Sequence, residues 1–214
     1  MGTANKGFFI SVEGPDGSGK STQIEFIKEF FRERNIDFVF TREPGGTSIG
    51  EKIRTILLDT DNAEMDAMTE AMLYAAARAQ DVAEVIMPAL EAGKVVICDR
   101  FVDSSIAYQG YGRALGDSVR FINSYAVRHC IPDLTFLMKL DPEVGKHRIK
   151  TELQDRLEAE REAFHREVYR GYLELEAACP ERIFGIDASR SIEEIKADIR
   201  LKLEELLSGE PSRA

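Results

Sequence analysis

Cysteine, histidine and long apolar runs are what this sequence has least of. Its three cysteines, Cys98, Cys130 and Cys179, show no paired spacing, which argues against a disulfide framework. Three scattered histidines, His129, His147 and His165, offer no zinc-ligand pattern. No apolar run is long enough to span a bilayer, and the opening MGTANKG has no apolar signal core. The expectation is therefore a cytoplasmic protein with reduced thiols and no membrane partner. Positive charge is also short, with 28 Lys and Arg against 38 Asp and Glu and a formal net charge of −10. A general nucleic-acid binder presents a basic face, so this balance argues against one. It leaves room for a local basic pocket. Repeats, linkers and low-complexity tracts are also missing.

What is present suits one large domain: 214 residues, 43% of them hydrophobic. Apolar runs at Phe8–Val12, Phe38–Phe40, Val95–Cys98, Leu134–Leu140 and Ile183–Ile186 read as five buried strands. Helical spacing separates them: Ile24, Ile27 and Phe31, then Ile49, Ile53, Ile56 and Leu57, and later Val119, Ile122 and Ala126. A longer helical stretch over about 67–91 should bend near Pro88 and end at Gly93. Another, over about 157–177, carries Leu157, Phe164, Val168, Tyr172 and Leu175. The capping box Ser191–Glu194 opens a last helix through Ile195, Ile199, Leu203 and Leu206. Such alternation predicts an α/β fold, a doubly wound five-stranded parallel sheet with helices on both faces.

The stretch EGPDGSGKST leaves the first strand and enters the first helix. Within it Gly14, Pro15, Asp16, Gly17, Ser18, Gly19, Lys20 and Ser21 fit G-x-x-x-x-G-K-[ST], and Thr22 follows. Glycines let successive N–H groups curl inward onto phosphate oxygens. The next helix adds its positive end. Lys20 then faces the β- and γ-phosphates of ATP and the Ser21 hydroxyl ligates Mg²⁺. A chance Gly-rich turn of this pattern arises in roughly one chain in a hundred of this length. The flanking strand and helix favour the P-loop NTPase reading.

A regulatory GTPase would add N-K-x-D, and no such motif follows. TREPGGT, Thr41–Thr47, instead leaves the second strand with Arg42, Glu43 and a Gly-Gly turn, and CDRF leaves the third with Asp99 and Arg100. In a parallel sheet the strand ends gather on the ligand side, so these groups should converge on the P-loop. A surface ion pair is the ordinary alternative for an isolated Asp-Arg.

EGPDGSGKST, TREPGGT, MLYAAARAQ, DRFVDSSIAYQGYGR, IPDLTFL and DRLE, in that order across about residues 7–207, resemble the bacterial thymidylate kinases. The resemblance implies one nucleoside monophosphate kinase domain over 1–214, with a mobile lid within about 141–165. It also implies transfer of the γ-phosphoryl of ATP to dTMP, with Mg²⁺, in a homodimer. By resemblance Asp16 faces the 3′-hydroxyl and the metal shell, and Asp99 joins Ser21 and Asp16 around Mg²⁺. Tyr74 would stack on thymine and Arg78 would bond a base carbonyl. Ser105 and Gln109 would line the base, and Tyr108 would stand near the 2′ carbon. Arg100 would clamp the acceptor phosphate, with Arg42, Glu43 and Arg54 around it. Lys20, Asp16, Asp99 and Arg100 form the expected catalytic set, completed by one lid cation. Arg148, Lys150 and Arg156 are the candidates, and Arg156 in DRLE matches best. Two alternatives stay open: a kinase for another pyrimidine monophosphate, and a P-loop ATPase or nucleotide-dependent binding module.

Overall fold

The computed structural model describes residues 7–148 and 155–208. Its strands are β1 (Phe9–Glu13), β2 (Phe38–Arg42), β3 (Val95–Asp99), β4 (Leu134–Lys139) and β5 (Ile183–Asp187). They form one sheet in the order β2-β3-β1-β4-β5, parallel at every pairing. The helices are α1 (Lys20–Glu33), α2 (Ser48–Leu58), α3 (Ala67–Asp81), α4 (Met87–Glu91), α5 (Val102–Ser105), α6 (Asp117–Ala126), α7 (Pro142–Arg148), α8 (Glu162–Ala178) and α9 (Ile192–Ser208).

The central strand β1 is buried at all five positions, as expected when both faces of a parallel sheet are covered. Its side chains alternate between two cores. Ile10 and Val12 pack with Ile27 and Phe31 of α1 and Ile199 of α9. Phe9 packs on the other side with Phe101, Val168 and Tyr172. Fully burying side chains of this kind contributes about 1.5–3 kcal/mol each. Period-two geometry puts Glu13 on the Phe9 side, under α5 and α8.

Two boundaries differ from expectation. The helical path over 67–91 deforms upstream of Pro88, in a π turn at Val82–Ile86 between α3 and α4. Pro88 has no N–H for a carbonyl one turn back, and its ring crowds that carbonyl, so the preceding turn widens. The helix expected from about 157 starts at Glu162. Asp155 Oδ1 accepts the N–H groups of Leu157 and Glu158 at 2.9 Å, and this local turn replaces the first helical turn. Among the described residues no helix is long and apolar enough to cross a membrane.

The register sets up the site. β1 and β3 are neighbours, with Val12 opposite Asp99, and Arg100 N–H donates to Val12 O at 3.0 Å. The Gly14 loop and the Asp99–Arg100 turn therefore leave the sheet side by side.

Candidate active site

The loop after β1 has the backbone its glycines permit. Gly14, Gly17 and Gly19 stand at φ 136°, 75° and 87°, values that side chains with a Cβ rarely adopt. Gly19 is the N-cap of α1 and supplies no side-chain cap, so the first N–H groups of that helix remain available to an anion. Lys20 Nζ donates to Gly14 O at 3.1 Å and Pro15 O at 2.9 Å and lies 3.8 Å from Asp16 Oδ1. Burial, with the Arg100 charge nearby, pushes its ammonium down to about 8. Ser18 closes the loop by donating to Pro15 O at 2.7 Å.

A cavity of ≈ 460 Å³ opens over this loop, within the range of small-molecule sites. Asp16, Gly17, Gly19, Lys20 and Ser21 form its floor. Gly14, Pro15, Ser18 and Thr22 stand outside the lining, Gly14 and Pro15 acting through their carbonyls. Asp99 and Arg100 enter from β3, and Arg42 and Glu43 from β2. Arg54 of α2 is pinned to Pro44 O at 2.9 Å, and Arg42 is paired with Glu51 at 3.0 Å. Tyr74 and Arg78 come from α3, and Ser105, Tyr108 and Gln109 from α5 and the π turn Ile106–Gly112 that continues it. The aromatic and polar residues expected around a base thus share one wall.

Arg100 is the centre of the charge arrangement. Its Nη2 donates to Asp16 Oδ1 at 2.5 Å, and Tyr108 donates to Asp16 Oδ2 at 3.2 Å. Burial pushes the Asp16 carboxyl up, but the Arg100 and Lys20 charges outweigh it and hold the carboxyl well below its usual range. Arg78 is more constrained than its spacing suggested. Nε and Nη2 hold Glu43 at 2.7 and 2.6 Å, Nη1 donates to Ser105 Oγ at 2.9 Å and to Asn123, and Nη2 reaches Phe101 O at 3.2 Å. These are four hydrogen bonds and one ion pair, with Nε and Nη2 both on Glu43 Oε2.

Asp99 Oδ1 is buried with no hydrogen-bond partner. An oxygen of that kind in the cavity that Ser21 also lines fits a hard cation such as Mg²⁺. Among the described residues no three His, Cys, Asp or Glu side chains cluster as a metal cage. Such an ion would take most of its oxygens from nucleotide phosphates and water.

The two described lid arginines sit in different surroundings. Arg156 lies outside the cavity lining, with Nη2 on the buried Glu70 carboxylate and Nε on Leu57 O at 3.0 Å. The same carboxylate also receives Arg113 and Gln109. Arg148 lines the cavity instead, with Nη1 on Ala188 O at 3.0 Å. Lys150 lies outside the described residues. Sequence reasoning also missed Glu13, Ser104 and Tyr172, which together carry Arg100 from behind. An acid ending a wholly buried strand was the available signal for Glu13. Tyr172 showed only as a core position on a helix.

A P-loop, a five-stranded parallel sheet and a basic strand end sharing one nucleotide-sized cavity define a P-loop kinase of the nucleoside monophosphate class. Residues 12–199 match the family described as thymidylate kinase. Two relatives called thymidylate kinase are similar over nearly the whole chain. One, from an Exiguobacterium species, is 52% identical over 195 residues, 90% of this chain and 92% of that protein. The other, from Halalkalibacterium halodurans, is 47% identical over 207 residues, covering 95% and 99%. The crystal structure of thymidylate kinase from Ehrlichia chaffeensis superposes with a TM-score of 0.76 at 31% identity, covering 93% of this chain and 99% of that one. The chain belongs to the thymidylate kinase family.

Proposed function

We propose that the protein transfers the γ-phosphoryl group of ATP to dTMP, giving ADP and dTDP, with the whole chain acting as one kinase domain. One observation carries this reading: Lys20 of the P-loop and Arg100 of the β3 end lie on the same Asp16 carboxylate, at 3.8 and 2.5 Å. A donor-phosphate cation and an acceptor-phosphate cation thus share one carboxylate oxygen in one cavity. Positioning two phosphate groups there in line supplies most of the catalysis, because no covalent intermediate is required.

In this reading the P-loop amides and Lys20 hold the β- and γ-phosphates, and Arg100 grips the dTMP phosphate. The substrates' negative charge takes over Lys20 and Arg100, and frees Asp16 to accept from the 3′-hydroxyl. Tyr74 stacks on the base, Tyr108 stands beside the 2′ carbon, and Ser105 and Gln109 meet the base edge. A contact from Arg78 to a base carbonyl would come from Nη2, which carries its longest bond, the one to Phe101 O. Ser21 and Asp99, with Asp16 near, would hold Mg²⁺, which neutralises charge on the transferring phosphates when bound. Arg148, already in the cavity, is the better-placed lid cation. Cytoplasmic residence and a homodimer belong to the same proposal.

ADP release measured with dTMP, dUMP, UMP and CMP tests the reading. Release should require a monophosphate and be fastest with dTMP. Equal rates with CMP would point to another pyrimidine kinase, and release without any monophosphate to an ATPase.

A further inference from the structure

Glu13 is an acid that the proposed chemistry does not use, yet it is wholly buried at the end of β1. Its Oε1 accepts Phe101 N–H at 2.7 Å, and its Oε2 accepts the Ser104 hydroxyl at 2.5 Å and faces Tyr172 OH at 3.3 Å. Ser104 Oγ and Tyr172 OH are 2.8 Å apart. Beyond them lies Arg100, whose Nη1 is 3.2 Å from Ser104 Oγ, 3.1 Å from Tyr172 OH and 2.9 Å from Gly14 O. The backbone of Arg100 is left-handed, at φ 64°, and Glu13 fixes the peptide that follows it.

We propose that Glu13 is a positioning residue for Arg100, its carboxylate setting the direction of the Ser104 and Tyr172 hydroxyls so that both oxygens face the guanidinium. The proposal rests on the reading that Arg100 grips the acceptor phosphate. A carboxylate only accepts and a guanidinium only donates. Between them each hydroxyl has one hydrogen. Ser104 must give its hydrogen to Glu13, and Tyr172 must give its own to Glu13 or Ser104, for the lone pairs of both to meet Arg100. Glutamine at position 13 keeps the shape and the Phe101 contact, but its amide presents hydrogens to the hydroxyls. The Ser104 hydrogen is then turned toward the Tyr172 hydroxyl or the cation, and the relay reverses.

Titration acts in the same direction. Burial, then the Asp103 charge, pushes the Glu13 carboxyl up to about 7. Arg100, Lys20, Glu43, Cys98 and Tyr172 are the other titratable groups coupled to it. Protonation as pH falls through neutrality should therefore loosen Arg100 and raise the KM for dTMP.

The test is steady-state kinetics of the full chain across pH 6 to 8. Glu13→Gln should raise the dTMP KM roughly tenfold, the loss of about one charged hydrogen bond, and leave the ATP KM within about twofold. The dTMP phosphate also titrates near pH 6, equally for both proteins, so the wild-type profile should show an extra rise at low pH that Glu13→Gln lacks. An unchanged dTMP KM or superimposable pH profiles would overturn the proposal. If Glu13→Gln raises the dTMP KM while Arg100→Ala does not, the reading of Arg100 fails and the proposal with it. Tyr172→Phe removes one hydroxyl and keeps the carboxylate, so it carries the test if Glu13→Gln does not fold. A severalfold rise in the dTMP KM supports the relay and no change refutes it.

Discussion

All three guanidinium nitrogens of Arg78 have partners within the protein, and two of them meet the Glu43 carboxylate. Glu43 Oε1 is already buried without a hydrogen bond, and burial pushes its carboxyl upward against the pull of Arg78. Arg78→Ala would strand that acid, and breaking a buried pair from one side costs about 3–5 kcal/mol. Urea unfolding should show a loss of that size, and Glu43→Gln added to it should recover part. A loss under about 1 kcal/mol would mean the pair is not what holds Glu43. The helix-face spacing from Tyr74 to Arg78 was legible, but the partners Glu43 and Asn123 were not, because they lie 35 and 45 residues away. The two lid arginines make a contrast at the same scale. Arg148→Ala should lower kcat by at least about a hundredfold with little change in either KM, as expected for a cation that acts mainly in the transition state. Arg156→Ala should act chiefly through stability, by leaving Glu70 one cation short. The reverse outcome would return the catalytic role to Arg156.

At the scale of elements, α7 lies directly against the P-loop. A Cβ at Gly145 would stand 2.5 Å from the carbonyl of Asp16, and one at Gly17 would stand 2.3 Å from the carbonyl of Gly145. Backbone faces backbone there, so no flexible side chain can move aside. Gly145→Ala should displace the P-loop, raise the ATP KM roughly tenfold and cost about 1–3 kcal/mol, the usual penalty of overpacking. An unchanged ATP KM in steady-state kinetics, with an unchanged ATP Kd in isothermal titration, would show that α7 can yield. Strand and helix identities were readable from periodicity, whereas this approach was not, since a lone glycine in PEVGKHR carries no mark of what it touches.

At the scale of the whole molecule, large apolar side chains stand exposed on α6 and α3. Phe121 and Tyr125 of α6 are 66% and 71% exposed and stack edge to face at 5.4 Å, and Met72 of the adjoining α3 is 54% exposed. Large apolar side chains grouped this way mark association surfaces, which supports the homodimer proposed by resemblance. Phe121→Asp with Tyr125→Asp should convert a dimer to a monomer in sedimentation velocity at micromolar concentration. A wild-type protein that sediments as a monomer would refute the dimer.

Residue pattern alone was enough for the sheet and the phosphate loop, and the kinase class came from resemblance. The sheet and the loop depend on residues close in the chain: short apolar runs, helical repeats, and eight consecutive residues whose glycines curl one loop. Resemblance then named the residues of the acceptor wall. Only the tertiary structure decided which charges meet. β3 inserts beside β1, so Arg100 rests on Asp16, 84 residues earlier. The packing of α8 brings Tyr172 to Glu13 across 159 residues, and Glu70 captures Arg156 across 86. A chain with 66 charged Lys, Arg, Asp and Glu side chains, 28 plus 38, offers far too many possible pairs for spacing to choose among them. Strand order and helix packing choose, because they set the few distances over which a buried charge can find a partner.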